Sequence, residues 1–259
     1  MNRILLFIVF LTFLSCGKQS KESKENTKDQ TTLSEVATAL PIQKHASIPM
    51  DTTLVRRLSN KETSSIFTNN RQIQLGISNT LYQAYTYKDD TNEYYLVLTD
   101  HQKGINENKD TLYDNVYALN LTNKNYRFKK RSSIKGEIDK EWETSIGFWN
   151  QYSQLSDLDG DGHIDPIIVY GTTTENMYVD GRLRIIAYYK KKRVTIKHQN
   201  SEISDGRLTK INKNFYTFPL EIQEAVKEKM RLMIKNGHAV FADDWEKSMK
   251  NRATRLENL

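Results

Sequence analysis

The chain has 259 residues, enough for one domain plus a tail, and 27% of them are charged against 37% hydrophobic, which supplies one core. A formal charge of +6 is mildly basic: it suits a phosphate-rich surface and does not mark a nucleic-acid binder. The single cysteine, Cys16, excludes an intramolecular disulfide.

The first 16 residues read "MNRILLFIVFLTFLSC". Arg3 supplies a positive start, and residues 4–14 form an apolar run too short to span a bilayer as a helix. The run ends at Ser15-Cys16, which looks like the lipobox of bacterial lipoproteins, although Phe13-Leu14 is bulkier than the usual pair there. Residues 1–16 are therefore expected to be a lipoprotein signal peptide with Cys16 lipidated; a plain secretory signal or an uncleaved anchor is the competing reading. Lipidation at the lone cysteine leaves no thiol for catalysis. Residues 17–40 open with "GKQSKESKENTKDQTT", without one apolar side chain, and predict a disordered tether. The expected place is the cell envelope, attached to the outer membrane by lipid, on its periplasmic or surface face. An exported chain has no nucleic acid to meet.

Residues 41–70 read as a poorly defined lead-in, with Ser59 and Glu62 spaced as a capping box before a short helix. From residue 71 the pattern turns to period two. "TLYQAYTYK" and "EYYLVLTD" flank "DDTN", a hairpin signal. "NVYALNLT", with Tyr117, Leu119 and Leu121 on one face, precedes "NYRFKKRSS", with Tyr126 and Phe128 on one face, across a turn at Asn123-Lys124. "QYSQLS" and "PIIVYG" flank an acidic loop, and "RLRIIAYY" and "RVTIKHQ" flank a turn at residues 190–192. The C-terminus switches to helical spacing. "PLEIQEAVKEKMRLMIKNG" starts with Pro219 in the first turn, ends at Gly237 and aligns Ile222, Val226, Met230 and Met233. A second amphipathic stretch, residues 241–256, carries Trp245 and Met249.

These patterns predict a mainly β protein of the α+β class. Residues 71–259 form one domain, an antiparallel sheet, a sandwich or a partial propeller-like meander, with two C-terminal helices. A parallel sheet would need crossover helices between strands, and no repeat is long enough for a full propeller.

The sharpest motif is "SDLDGDGHIDPIIVYG". Asp157, Asp159 and Asp161 alternate, Gly160 and Gly162 permit the turns that point oxygens inward, and Asp165 closes the loop. His163 would contribute its backbone carbonyl. Hard oxygen ligands in this number suit Ca²⁺. An EF-hand is excluded at its twelfth place, which is Ile168 where a bidentate Glu is needed, and a strand follows instead. The pattern resembles the strand-loop-strand calcium loops of FG-GAP and VCBS repeats, where Asp157, Asp159, Asp161 and Asp165 would be side-chain ligands. The plain alternative is an Asp/Gly-rich turn without an ion. A saturated oxygen cage leaves no open coordination place for a substrate, so the expected role is structural.

No other motif carries chemistry as directly. His45, His101, His163, His198 and His238 show no metal-ligand spacing; HExxH, GxSxG and a Gly-rich phosphate loop are absent. Glu137, Asp139, Glu141 and Glu143, near Trp142 and Trp149, suggest a glycosidase-like carboxylate pair beside a sugar platform. A solvated charged loop leading into a strand that buries Phe148 or Trp149 explains the same residues. "KKKR" at residues 190–193 is a basic hairpin tip, suited to lipid phosphate, anionic glycan or mere solubility. "DTT" at Asp51 and "DTL" at Asp110 resemble the short O-glycosylation acceptor of the Bacteroidetes.

Taken together, "EYYLVLTDH", "QLSDLDGDGHIDPIIVYGTT", "GRLRIIAYYKKKRVTIKH" and the Trp-bearing helical end resemble a group of small exported or lipid-anchored proteins of flavobacteria and relatives, known as surface polysaccharide biosynthesis proteins. The resemblance covers about residues 71–250. It implies a role in making or displaying lipopolysaccharide or capsule, with surface polysaccharide or envelope assembly proteins as partners, and it brings no agreed catalytic residues. Two functional expectations follow: a non-catalytic, lipid-anchored accessory or binding module with a structural Ca²⁺, or an envelope glycan hydrolase using the carboxylates near Trp142 and Trp149.

Overall fold

The computed structural model describes residues 41–89, 92–125 and 127–258. The signal peptide, Cys16 and the tether lie outside the described residues, as does Tyr126. Strands β1 (Val55–Arg57), β2 (Thr80–Lys88), β3 (Glu93–Ile105), β4 (Thr111–Lys124) and β5 (Arg127–Glu137) pair in that order into one antiparallel sheet. Two short helices, α1 (Asn60–Ile66) and α2 (Asn69–Leu75), connect β1 to β2. The chain then crosses to a second antiparallel sheet. Its strands are β6 (Glu143–Phe148), β7 (Ile167–Thr174), β8 (Arg182–Tyr189), β9 (Lys192–Gln199) and β10 (Leu208–Ile211). After helices α3 (Leu220–Lys235) and α4 (Trp245–Lys250), a two-residue strand, β11 (Arg255–Leu256), pairs with β10 at the far edge. All the strand pairs are antiparallel, as the alternating pattern and short turns require.

The alternation along each strand sorts side chains into three apolar cores. Tyr94, Leu96 and Leu98 of β3 face Ile168 of β7 and Ile186 of β8, so the two sheets form a sandwich. Tyr95 and Val97 point the other way, into a core with Leu119, Leu121 and Phe67, beneath α1 and α2. On the far side of the second sheet, Ile167, Val169, Leu183 and Ile185 pack against Ile222, Val226, Met230 and Met233 of α3. Burying one such side chain contributes about 1.5–3 kcal/mol, so the stripe on α3 holds that helix far more firmly than its intrinsic propensity. Trp245 and Met249 of α4 join the same core.

The mainly β, α+β architecture is thus a two-sheet sandwich with helices on both outer faces. Several local expectations change. Residues 41–70 are no loose lead-in. β1 pairs with β2, Ile48 is buried with its N–H donating to Tyr85 Oη (2.8 Å), and Ile42 N–H donates to Tyr178 Oη (2.8 Å). The capping box at Ser59 and Glu62 is present. A second helix, α2, occupies residues where period two was expected to begin; its C-cap, Gly76, adopts φ 70°. "QYSQLS" is not a strand: Gln151 and Tyr152 end a short 3-10 turn, Ser153 Oγ accepts from Val169 N–H (2.9 Å), and Gln154 and Leu155 make isolated bridges. Pro219 is the N-cap of α3 rather than a residue of its first turn. The last amphipathic stretch stays helical only to Lys250; Arg252, at φ 60°, turns the chain so that buried Leu256 reaches β10.

Candidate metal centre

The acidic loop hangs between two anchored points. Gln154 and Ile167 exchange backbone hydrogen bonds (2.7 and 2.9 Å), and Asp165 N–H donates to Ser156 O (2.9 Å). Inside the loop Gly160 and Gly162 hold φ 77° and 82°, the left-handed turns that a β-carbon would resist. Asp157 accepts from Gly160 N–H (2.8 Å), Asp161 N–H (3.1 Å) and Gly162 N–H (2.7 Å). Asp159 accepts from Asp161 N–H (3.2 Å). The carboxylates therefore shape the loop through its own amides.

One carboxylate oxygen each from Asp157, Asp159 and Asp165 lies within 4.8 Å of the others, the one such acidic group among the described residues. Two ligands at about 2.4 Å from a common Ca²⁺ can be at most about 4.8 Å apart, a condition that every pair of the three meets. Asp161 is outside this group: its carboxylate accepts from His163 N–H (3.0 Å) and lies 3.4 Å from Lys190 Nζ. His163 is exposed at its ring, whose Nδ1 sits 3.2 Å from Asp161 O.

Asp165 carries the electrostatic strain. It is 1% exposed and accepts only a 3.2 Å bond from Leu158 N–H among the hydrogen bonds of the described residues. Burial, with the charges of Asp159, Asp161 and Asp157 behind it, pushes its carboxyl up to about 7. A buried carboxylate beside three others is a place where a divalent cation relieves both burial and repulsion, and the all-oxygen donor set fits Ca²⁺.

The carboxylates near the tryptophans are arranged differently. Glu143, expected on a solvated loop, is 3% exposed. The correction has a simple cause: Arg182 arrives from β8 and forks onto both its oxygens, through Nε to Oε1 and through Nη2 to Oε2 (2.7 Å). Thr172 Oγ1 (2.9 Å) and Asp139 N–H (3.0 Å) also donate to Glu143. Burial pushes this carboxyl up, but Arg182 and the other donors outweigh it, and the net shift is downward. A general acid needs the opposite shift. Asp139 pairs with Arg182 (2.9 Å), Glu137 with Lys135, and Glu141 is exposed. Phe148 and Trp149 are both buried, the latter among Tyr152, Tyr178 and His238, while Trp142 is exposed and donates to Asp180 O (3.3 Å). The two indoles build no common platform.

The remaining candidates have local partners. His45 meets Asp100 (2.6 Å) and His101 meets Asp114 (2.8 Å); His198 and His238 are buried. Asp51 accepts from Thr53 N–H (2.9 Å) and Oγ1 (2.6 Å), and Asp110 N–H donates to Asn106 Oδ1 (2.7 Å). The Glu143–Arg182 pair escaped the sequence reading. Its signal was in "RLRIIAYY", where Arg182 shares the inward phase of Ile186, a position that requires a partner.

No family model, no curated protein and no solved structure matches the chain. No helix among the described residues is long and apolar enough to cross a membrane, which says nothing of attachment by lipid.

Proposed function

We propose that the protein is a non-catalytic accessory or binding module of the cell envelope, anchored through lipidated Cys16, that serves surface polysaccharide assembly or display and uses Ca²⁺ to pin its acidic loop. The observation that carries the metal part is the convergence of Asp157, Asp159 and buried Asp165 without an internal cation. Asp161 and the His163 carbonyl complete the ligand set in the sequence-derived assignment. The ion supplies positive charge and rigidity, and the loop's own residues do the rest by fixing where β7 begins. The reading as an accessory rests on the resemblance above and on a candidate catalytic carboxylate, Glu143, that is consumed by Arg182.

The test has two arms. On purified protein, Ca²⁺ should raise the melting temperature and EDTA should lower it, with Asp159→Ala abolishing the difference; identical melting in both conditions removes the metal. In cells, deletion should alter surface glycan, Cys16→Ser should release the protein from the membrane fraction, and Glu141→Gln with Glu143→Gln should spare the glycan in any cell that still accumulates the variant. A glycan lost with normal variant levels would restore the hydrolase.

A further inference from the structure

The acidic loop, the β8–β9 hairpin and the first sheet enclose a cavity of about 440 Å³, within the size range of small-ligand sites. Its floor is aromatic. Tyr87 and Tyr94 stack with ring centroids 5.1 Å apart, and Tyr188, in phase with inward Ile186, faces them from the second sheet. Its rim is basic: five lysines and arginines line it against two carboxylates. Both carboxylates are engaged, Asp89 by the Tyr94 hydroxyl and Asn92 N–H (2.7 Å), Asp161 by Lys190 (3.4 Å).

The two guanidinium groups are not consumed in this way. Arg131 lies over the Tyr94 ring, 5.0 Å from its centroid, and makes no hydrogen bond or ion pair among the described residues. Arg193 donates once, to Ser133 O (2.8 Å), and has no carboxylate partner among them. By contrast Arg182 spends its guanidinium on Glu143, Asp139 and the Glu137 carbonyl. One guanidinium over a tyrosine ring and a second without a carboxylate partner, both lining an aromatic cleft, match a ligand with a flat or ring-shaped body and carboxylate or phosphate groups at its edge.

We propose that this cleft binds an anionic saccharide, a sugar chain bearing carboxylate or phosphate groups. The proposal deepens the reading of the protein as an accessory or binding module in surface polysaccharide assembly or display and rests on it. Arg131 and Arg193 take the anionic groups, partly exposed Tyr188 meets the ring, and Lys190 and Lys191 draw the ligand in from solvent. The acidic loop forms one wall, so a pinned loop also fixes the shape of the cleft.

The experiment is calorimetric titration of the full chain in detergent, with calcium saturating throughout. The probes are a hyaluronan tetrasaccharide, which carries uronate; a neutral chito-oligosaccharide; glucose 1-phosphate; inorganic phosphate; and glycerol phosphate as the bare lipid headgroup. Binding is expected for the hyaluronan fragment or the sugar phosphate, weakening with salt, and not for the neutral oligomer. Arg131→Gln and Arg193→Gln should each weaken it roughly tenfold, the loss of one charge-assisted contact. Arg131 holds only its contact with the Tyr94 ring, so its variant should melt close to the parent and keeps the test valid if Arg193→Gln misfolds. No binding of either anionic sugar, binding unchanged by Arg131→Gln, or equal binding of inorganic phosphate or glycerol phosphate overturns the proposal. A deletion strain that loses surface glycan while the cleft binds none of these sugars leaves the envelope role standing and removes only this site.

Discussion

Two buried carboxylates sit in the second sheet and its loop, and the chain treats them oppositely. Glu143 is 3% exposed and Asp165 is 1% exposed. Around Glu143 the fold supplies its own cation, Arg182, and the carboxyl is pulled down despite its burial. Around Asp165 the fold supplies one amide and three more acids, and the carboxyl is driven up to about 7. Burial alone therefore does not set the state of an acid; the company it keeps does. An internal partner makes a structural joint complete in itself, whereas its absence beside converging oxygens leaves the joint that we propose an external ion completes.

The comparison can be broken most severely at Glu143. Glu143→Ala takes from the Arg182 guanidinium, which is 15% exposed, its bidentate partner, leaving Asp139 and Glu137 O, and should cost about 3 kcal/mol or more in urea unfolding, equally with Ca²⁺ or EDTA. A calcium-dependent loss would show that the two joints are not separate. Because the folded carboxyl is held low, the pair's contribution is full above the unfolded carboxylate range and fades as pH falls.

A third buried group sharpens the contrast by being kept neutral. Burial pushes His198 down to about 4, while its ring nitrogens bond Thr209 Oγ1 (2.8 Å) and Asn200 Oδ1 (2.7 Å). The unfolded chain takes up this proton near pH 6.5 and the folded one only near 4, so stability is full above 6.5 and falls across that window. The loss should reach about 3 kcal/mol. His198→Gln should flatten that part of the profile relative to the parent, and parallel profiles would remove the assignment.

At Asp165 the expected sign depends on the ion. Asp165→Asn removes a repelling charge and should raise the melting temperature in EDTA. It should lower it in Ca²⁺, where a site filled to a hundred times its Kd contributes roughly 2.7 kcal/mol. The same sign in both conditions would sink the contrast with Glu143. The smallest effect belongs to Lys190→Gln, which loses an exposed pair with Asp161 and an exposed contact with the Tyr189 ring and should leave melting almost unchanged.

Much of this was legible in the residues. Period two placed β2, β3, β8 and β9, because each strand alternates between two apolar cores or between a core and solvent, and Pro219 and Gly237 bracketed α3. The glycine-punctuated aspartates identified a loop whose oxygens converge, but not that Asp161 turns to Lys190, since that depends on where the β8–β9 turn arrives. Ion pairs such as Glu143 with Arg182, 39 positions apart, and clefts such as that of Tyr87 and Arg131 are made by the meeting of strands, which no local pattern encodes. The lead-in misled for the same reason: Ile42 and Ile48 find their partners, Tyr178 and Tyr85, far along the chain.

Those two bonds have a mechanical meaning. Traction on the chain from its N-terminal side meets Tyr178 first, then Asp100 at His45 and Gln83 and Asn150 at the Ala46 carbonyl, then Tyr85, and then the paired backbone at Pro49, Asp51 and Leu155 (3.0 and 2.9 Å). Leu155 lies two residues before Asp157, so the strap that would bear the load is stitched to the base of the aspartate loop. Stiffening that loop would stiffen the point at which residues 49–51 are fastened to the second sheet.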